Sequence, residues 1–276
     1  MRKLVVALGS GFSQSSKEQM DIIANVGWDG FFTGLDLEKG NFSIAKKAKE
    51  MGLFYQSIHA PFVNCDKMWE AGVIGDWEEN KLIRCVQHAS DIGVELVVAH
   101  AIIGFDKFTP NDIGVERYAR VGEIAKKCGV RLAIENTEGD AYFDKIITLL
   151  KDNPYVGFCI DTGHELCYNK GEDLITKYAD KLFCTHLNDN MGQTTKNIYW
   201  HDDAHLLPFD GIRDWEETAR RLNNAGYKRE LTFELTSLNK PNRNTHDIYK
   251  GLTAEQFYTL ALQKAKKFRS ILDKEN

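Results

Sequence analysis

Six positions spread over most of the chain, His59, His100, Glu135, Asp161, His186 and Glu234, share one local pattern. Each follows directly on a short run of buried-type residues: Ser57-Ile58, Val97-Val98-Ala99, Leu132-Ala133-Ile134, Cys159-Ile160, Cys184-Thr185 and Thr232-Phe233 respectively. Imidazole and carboxylate groups hold divalent cations and move protons near neutral pH. A lone His or Glu after an apolar run is more often a satisfied structural group than a ligand. Six in succession are different. Glu135, Asp161 and Glu234 gathered at one buried place would repel one another unless a cation neutralised them. With His186 they form a three-carboxylate, one-imidazole set suited to a divalent metal ion such as Mn2+, Mg2+ or Co2+, with Zn2+ acceptable. His164 follows Asp161 by three residues, in the loop leaving that run. Asp203 and His205 fall in the long stretch 187–211, and connections of that length are more often functional than incidental. His201 and Asp202 beside them read as exposed.

Groups so far apart in sequence meet only if the fold gathers them. Short apolar runs alternate with longer amphipathic segments from end to end, the pattern of βα units and a parallel sheet. The candidate strands are Leu4–Leu8, Gly30–Leu35, Phe54–Ile58, Leu96–Ala99, Arg131–Ile134, Gly157–Ile160, Leu182–Thr185 and Leu231–Phe233. Helical patterns cover Ser16–Val26, Phe42–Met51, Glu78–Ile92, Glu116–Cys128, Trp215–Ala225 and Ala254–Leu272, several of them stopped by a glycine such as Gly52 or Gly129. Eight such strands predict an α/β fold, a (β/α)8 TIM-type barrel occupying 1–276 as a single domain, with the six polar residues converging on the mouth at the strand C-termini. A doubly wound open sheet would want a Gly-rich phosphate fingerprint after the first strand, and Gly9-Ser10-Gly11-Phe12-Ser13-Gln14 lacks its third glycine.

Composition narrows the function classes. The 276 residues are 43% hydrophobic and 27% charged, ordinary for a globular chain and long enough to bury a substantial core. A net charge of −5 removes the broad basic surface that sequence-independent nucleic-acid binding needs and leaves open a local basic groove. No apolar run approaches the ~20 residues of a membrane span. Leu4 to Leu8 after Met1-Arg2-Lys3 is shorter than the roughly 7–15 apolar residues of a secretory signal and reads as a first strand. The six cysteines make no CxxC pair and no zinc-finger spacing, which favours free buried thiols and a cytoplasmic setting over a disulfide framework.

The succession His59-Ala60-Pro61, Ile134-Glu135-Asn136, Asp161-Thr162-Gly163-His164, His186-Leu187-Asn188-Asp189, Asp203-Ala204-His205-Leu206-Leu207-Pro208 and Phe233-Glu234 resembles the xylose-isomerase-like TIM-barrel superfamily. That group includes sugar-phosphate isomerases, ketose 3-epimerases and the endonuclease IV type of apurinic-site nuclease. The resemblance to the ketose epimerases implies metal ligation by Glu135, Asp161, His186 and Glu234, and contact of His164 with substrate oxygen. His59, His100, Asp203 and His205 would join His164 in binding a small-molecule sugar or sugar phosphate. The nuclease branch finds a match at every one of these positions too: His59, His100 and Glu135 for one zinc ion, the four epimerase ligands for a second, and His164, Asp203 and His205 for a third. The surroundings favour the sugar enzymes. Ala7-Leu8-Gly9-Ser10-Gly11 replaces the nucleases' Gly-Ala-His-Val-Ser, and Ala101-Ile102-Ile103-Gly104 replaces their Pro-Gly-Ser turn. The stretch from Asp203 to Pro208, followed by Gly211 and Trp215, looks like the sugar isomerases, with Phe209 where they carry the first glycine of Pro-Gly-x-Gly. That departure counts against a close backbone approach to a substrate phosphate. The arginine that some epimerases place after the seventh-strand histidine is missing, Gly192 and Lys196 lying in that region.

Isomerising or epimerising a ketose removes a proton from the carbon beside a carbonyl, and a divalent cation chelating the adjacent oxygens stabilises the developing enediolate. Glu135 and Glu234 are the catalytic candidates, one abstracting the proton and the other returning it. A dehydratase or lyase built on the same step, and a barrel that only binds a ligand, stay open. Arg84, Lys107 and Arg117 read as helix-surface charges rather than a DNA grip. Val63–Trp77, with Trp69 and Trp77, reads as a lid or partner-contact segment; Trp200 and Tyr199 are further candidates for a contact in a homo-oligomer or over the pocket.

Overall fold

The first strand, β1 (Leu4–Ala7), sits between β2 (Gly30–Gly34) and β8 (Leu231–Phe233), all parallel. The remaining strands are β3 (Phe54–His59), β4 (Leu96–His100), β5 (Arg131–Glu135), β6 (Val156–Asp161) and β7 (Leu182–His186), and the sheet runs β7-β6-β5-β4-β3-β2-β1-β8. A single parallel bridge, Leu187 to Phe233, brings β7 round to β8. At that seam the Leu187 amide donates to the Thr232 carbonyl at 2.8 Å, and the Thr185 hydroxyl accepts from the Thr232 amide at 3.1 Å where a ladder carbonyl would otherwise stand. The eight strands thus form the expected (β/α)8 barrel in one domain. This computed structural model describes residues 1–104, 109–194 and 199–274; Lys107, Lys196 and the side chain of Tyr199 lie outside the described residues.

The helices are α1 (Ser16–Val26), α2 (Phe42–Met51), α3 (Val73–Asp91), α4 (Asp112–Cys128), α5 (Asp140–Leu149), α6 (Thr162–Cys167), α7 (Leu174–Lys177), α8 (Trp215–Asn224) and α9 (Ala254–Lys274). Their starts follow from capping. The Ser15 side chain accepts from the Glu18 amide while the Glu18 carboxylate accepts from the Ser15 amide, so two otherwise unpaired donors of α1 are satisfied. Gly129 ends α4 at φ 68, a left-handed conformation that costs glycine nothing.

Side chains alternate across each strand. Val97, Leu132, Ile134, Phe158 and Ile160 belong to the large core between sheet and helices, whereas Leu96, Val98, Ala133, Cys159 and Cys184 form a separate buried cluster inside the barrel. The residues two positions further along the same strands are His100, Glu135, Asp161 and His186, which therefore point inward above that cluster. Two of the strand pairings put these groups side by side, His100 opposite Glu135 and Asp161 opposite His186, and a third sets Glu135 opposite Cys159 of the cluster below.

The stretch 63–77 is a structural support rather than a free lid. It contains a short 3-10 turn, Cys65–Trp69, and α3 begins at Val73, five residues before the expected Glu78. Trp69 is 1% exposed, its indole N–H donates to the Ala101 carbonyl at 2.7 Å, and a Cβ on Gly114 of α4 would collide with its ring. Arg117, expected on a helix surface, is 3% exposed. It reaches from α4 beneath this turn, donating to the carbonyls of Met68 at 2.9 Å and Glu70, and to the Asp76 carboxylate at 2.7 Å. An irregular segment leaves carbonyls without partners, and one guanidinium collects several of them. Arg84 does lie on the surface, and Trp77 is 69% exposed. All six cysteines are free, five of them buried. Among the described residues no helix is long and apolar enough to cross a membrane.

Candidate metal centre

Glu135 ends β5 with no exposed surface and collects three imidazoles. Its Oε2 lies 3.1 Å from His59 Nε2 and 3.2 Å from His100 Nε2, and its Oε1 lies 2.9 Å from His186 Nδ1. His186 Nδ1 is also 2.9 Å from Glu234 Oε2. One potential ligand atom from each of Glu135, Asp161, His186 and Glu234 lies within 4.8 Å of the others. The same holds for the sets His59–His100–Glu135 and Asp161–His164–His205. Asp203 completes the cluster: its carboxylate sits 3.4 Å from His164 Nε2 and 3.1 Å from His205 Nε2. All nine sequence-predicted positions thus converge on one end of the barrel. His164 stands in α6 rather than in a loop, because the Asp161 carboxylate caps that helix by accepting the His164 amide at 2.7 Å.

The hydrogen bonds on the far sides of the rings fix which nitrogen faces the site. His59 Nδ1 lies 2.9 Å from the Ala60 carbonyl, His164 Nδ1 2.8 Å from the Asn136 carbonyl, and His205 Nδ1 3.2 Å from the Glu234 carbonyl. A carbonyl only accepts, so each Nδ1 carries a proton, and each ring in its neutral form turns an Nε2 lone pair toward a carboxylate. Lone pairs facing carboxylate oxygens at these distances need a cation or a proton between them. The donor chemistry therefore fits a divalent metal ion.

The surrounding carboxylates also set the charge of these rings. Burial alone would suppress the charged form of His186, but Glu135 and Glu234 outweigh it and raise the imidazole well above its usual value. His164 is raised in the same way by Asp161 and Asp203 against burial, and His205 goes up to about 9 beside Asp203. Burial would raise the Glu234 carboxyl, yet His186 draws it down to about 2. His100 is the exception: burial lowers it despite its contact with Glu135.

A cavity of about 590 Å³ opens above these groups. Phe32, Phe62 and Tyr168 line it, with His59, His100, His164, Asp203, His205 and Glu234 among its polar groups. Phe62 stacks on His100 with ring centroids 4.8 Å apart, and Phe32 stacks on His186 at 4.7 Å. Several contributors have no counterpart in the sequence reading. Lys240, in the segment after β8, reaches the cavity and stands 3.6 Å from Asp203. Asn188 donates to the Asp161 carboxylate at 2.7 Å, and Asn136 accepts the Asp161 amide at 2.7 Å. Both asparagines stand in the Ile134-Glu135-Asn136 and His186-Leu187-Asn188-Asp189 stretches that carry the resemblance, where only the neighbouring Glu135 and His186 have an expected role. His201 and Asp202, expected to be exposed, are buried; the Asp202 carboxylate ties the long connection to the next segment by accepting from Thr194 and from Arg243 at 2.9 Å. Phe209 keeps a glycine-like backbone, φ 70, its ring packed 5.5 Å from Trp215.

Comparison with known proteins places this architecture. A curated relative, the uncharacterized protein y4fM of Sinorhizobium fredii (strain NBRC 101917 / NGR234), is 26% identical over 176 residues, 58% of this chain and 54% of its own. The chain thus spans about half the length of that relative. Among solved structures, D-psicose 3-epimerase from Clostridium cellulolyticum H10 with D-tagatose superposes with a TM-score of 0.74 at 15% identity, covering 98% of this chain and 99% of that one. The IOLI protein with a bound zinc atom gives 0.71 at 18% identity over 99% and 98%. The family model for xylose isomerase-like TIM barrels matches residues 20–252. This chain belongs to the xylose isomerase-like TIM barrel family.

Proposed function

We propose that the protein is a divalent-metal-dependent isomerase or epimerase of a sugar or sugar phosphate. One observation carries the reading: Glu135, Asp161, His186 and Glu234 offer ligand atoms within 4.8 Å of one another, beneath a cavity of about 590 Å³. Structural neighbours named as sugar epimerases support the same kind of chemistry. A divalent cation held by those four residues would neutralise the charge that develops on substrate oxygens as a proton leaves the neighbouring carbon. Glu234, 27% exposed and ionised at neutral pH, takes that proton from the cavity side. Glu135, on the fifth strand, serves the opposite face of the substrate. Inversion needs a different proton on that face, relayed to Glu135 by the His59 imidazole that hydrogen-bonds it, while Glu234 keeps the one it took; return of the original proton by Glu234 to the adjacent carbon exchanges aldose and ketose. His164, His205, His59 and His100 orient substrate oxygens, and Lys240 meets an anionic group at the rim. Phe32 and Phe62 hold the sugar's apolar face and exclude water. The free cysteines are in keeping with a cytoplasmic setting.

A second reading has one observation in its favour. The sets His59–His100–Glu135 and Asp161–His164–His205 could take further ions, as a multinuclear apurinic-site nuclease would require. The aromatic walls of the cavity, with Lys240 its one lysine or arginine among the described residues, fit a sugar better than a nucleic-acid backbone. Ketose turnover with added Mn2+, set beside cleavage of an abasic oligonucleotide, separates the two. Glu234→Gln is expected to abolish ketose turnover with an unchanged circular dichroism spectrum, and undiminished activity would remove Glu234 from the proton transfer.

A further inference from the structure

The floor of the site contains a thiol that the proposed reaction does not use. Cys159 lies two residues before Asp161 on β6, so its side chain points the same way, one layer deeper. It is the register partner of Glu135 on β5 and of Cys184 on β7. Its sulfur, a Glu135 carboxylate oxygen and a His186 ring nitrogen all lie within 4.8 Å of one another. None of the three residues has exposed surface, and His186 Nε2 has no hydrogen-bond partner. Burial and a hydrogen bond to Cys184 on the adjacent strand both keep Cys159 a protonated thiol, whose proton only a strongly thiophilic ion displaces.

We infer that Cys159, Glu135 and His186 form a second cation position beneath the four-ligand set, and that it selects thiophilic divalent cations such as Zn2+ and Cd2+ over Mg2+ and Mn2+. The inference rests on reading Glu135 and His186 as cation ligands. Thiolate is a soft donor, and a sulfur, nitrogen and oxygen trio with bonds of about 2.0–2.3 Å suits zinc-like ions and is poor for magnesium. On binding, the Cys159 S–H and the His186 N–H bonds give way to sulfur–metal and nitrogen–metal bonds, and both protons leave to solvent. Because Glu135 and His186 serve both positions, an ion in the deeper one withdraws two ligands from the upper set. Thiophilic cations should therefore compete with Mn2+ and hold it out.

The test is a titration of the purified 276-residue chain with Cd2+, followed by near-ultraviolet absorption, with bound Mn2+ monitored by electron paramagnetic resonance. A sulfur-to-metal charge-transfer band that grows to a stoichiometric end point as Mn2+ is released supports the inference. Cys159→Ser and Cys159→Ala should each lose the band, retain Mn2+, and weaken Cd2+ binding by at least the roughly 10–100-fold that loss of a mere outer-sphere partner costs a metal site. Cd2+ that displaces Mn2+ with no band, or a band that survives both variants, overturns the inference and leaves the upper set standing. If Mn2+ binds and Cd2+ does not, the inference alone falls; if neither ion binds the wild-type chain, both readings fall.

Discussion

Loading the four-ligand set should expel a proton, because an imidazolium now supplies the positive charge there. His186 Nδ1 lies 2.9 Å from both Glu135 Oε1 and Glu234 Oε2, and those carboxylates outweigh burial to keep the ring protonated well above its ordinary range. A cation bound to Nδ1 occupies the proton's place. The metal-free state thus holds one more proton than the loaded state, and affinity rises with pH until the raised value of His186 is passed. One proton per ion corresponds to about 1.4 kcal/mol of binding free energy per pH unit. His59 adds to this, since its rise depends on its hydrogen bond to Glu135, which a cation would neutralise. Calorimetric Mn2+ titrations between about pH 6 and 8, in buffers of different ionisation enthalpy, count the protons directly. Glu135→Gln should reduce the count, because half of the charge holding the His186 proton is removed. An affinity flat across that window, with no buffer dependence of the heat, would refute the idea that protonated His186 stands in for the ion.

Three further outcomes follow from single contacts. In chelator, the pairing of His205 with Asp203 stabilises the fold fully below the ordinary histidine range near 6.5 and is lost as pH rises through about 9, so the urea midpoint should fall over that interval. Saturating metal should flatten the fall. Arg117→Met should lower stability by on the order of 3 kcal/mol in denaturant melts, at ~1–3 kcal/mol for each buried acceptor stranded, since the carbonyls of Met68 and Glu70 lose their donor; a change within experimental error would mean that water replaces the guanidinium. Lys240→Ala should raise KM for a phosphorylated ketose while leaving kcat and the KM of its unphosphorylated counterpart near wild type, and equal effects on both would remove Lys240 from anion recognition.

The strand-end groups were legible because a βα unit imposes two rules at once. An apolar run of five or so residues marks a strand, and the residue that follows it faces the mouth. His100, Glu135, Asp161 and His186 obey both. Glu234 follows a strand of only three residues, yet Phe233 and Thr232 were enough to mark it. Arg117 misled because it sits on an amphipathic helix whose charged residues ordinarily face water; the irregular turn that it supports has no periodicity to announce itself. Asp202, His201 and Lys240 belong to long connections, where burial is decided by tertiary packing that no local pattern records. Helix α3 began early for a related reason: Val73 and Ile74 are exposed apolar residues, and no side chain caps the helix start at Gly72.

The junction between β7 and β8 has a mechanical consequence. Among the described residues one bridge and a threonine hydroxyl fasten it, whereas neighbouring strands elsewhere share ladders of two to five paired residues. His186 flanks this junction on one side and Glu234 on the other. An ion gripped by both would act as a rivet across the slackest joint of the staves. Amide hydrogen exchange at Leu187 would then slow on metal loading, while the well-laddered wall from β4 to β6 kept its pace.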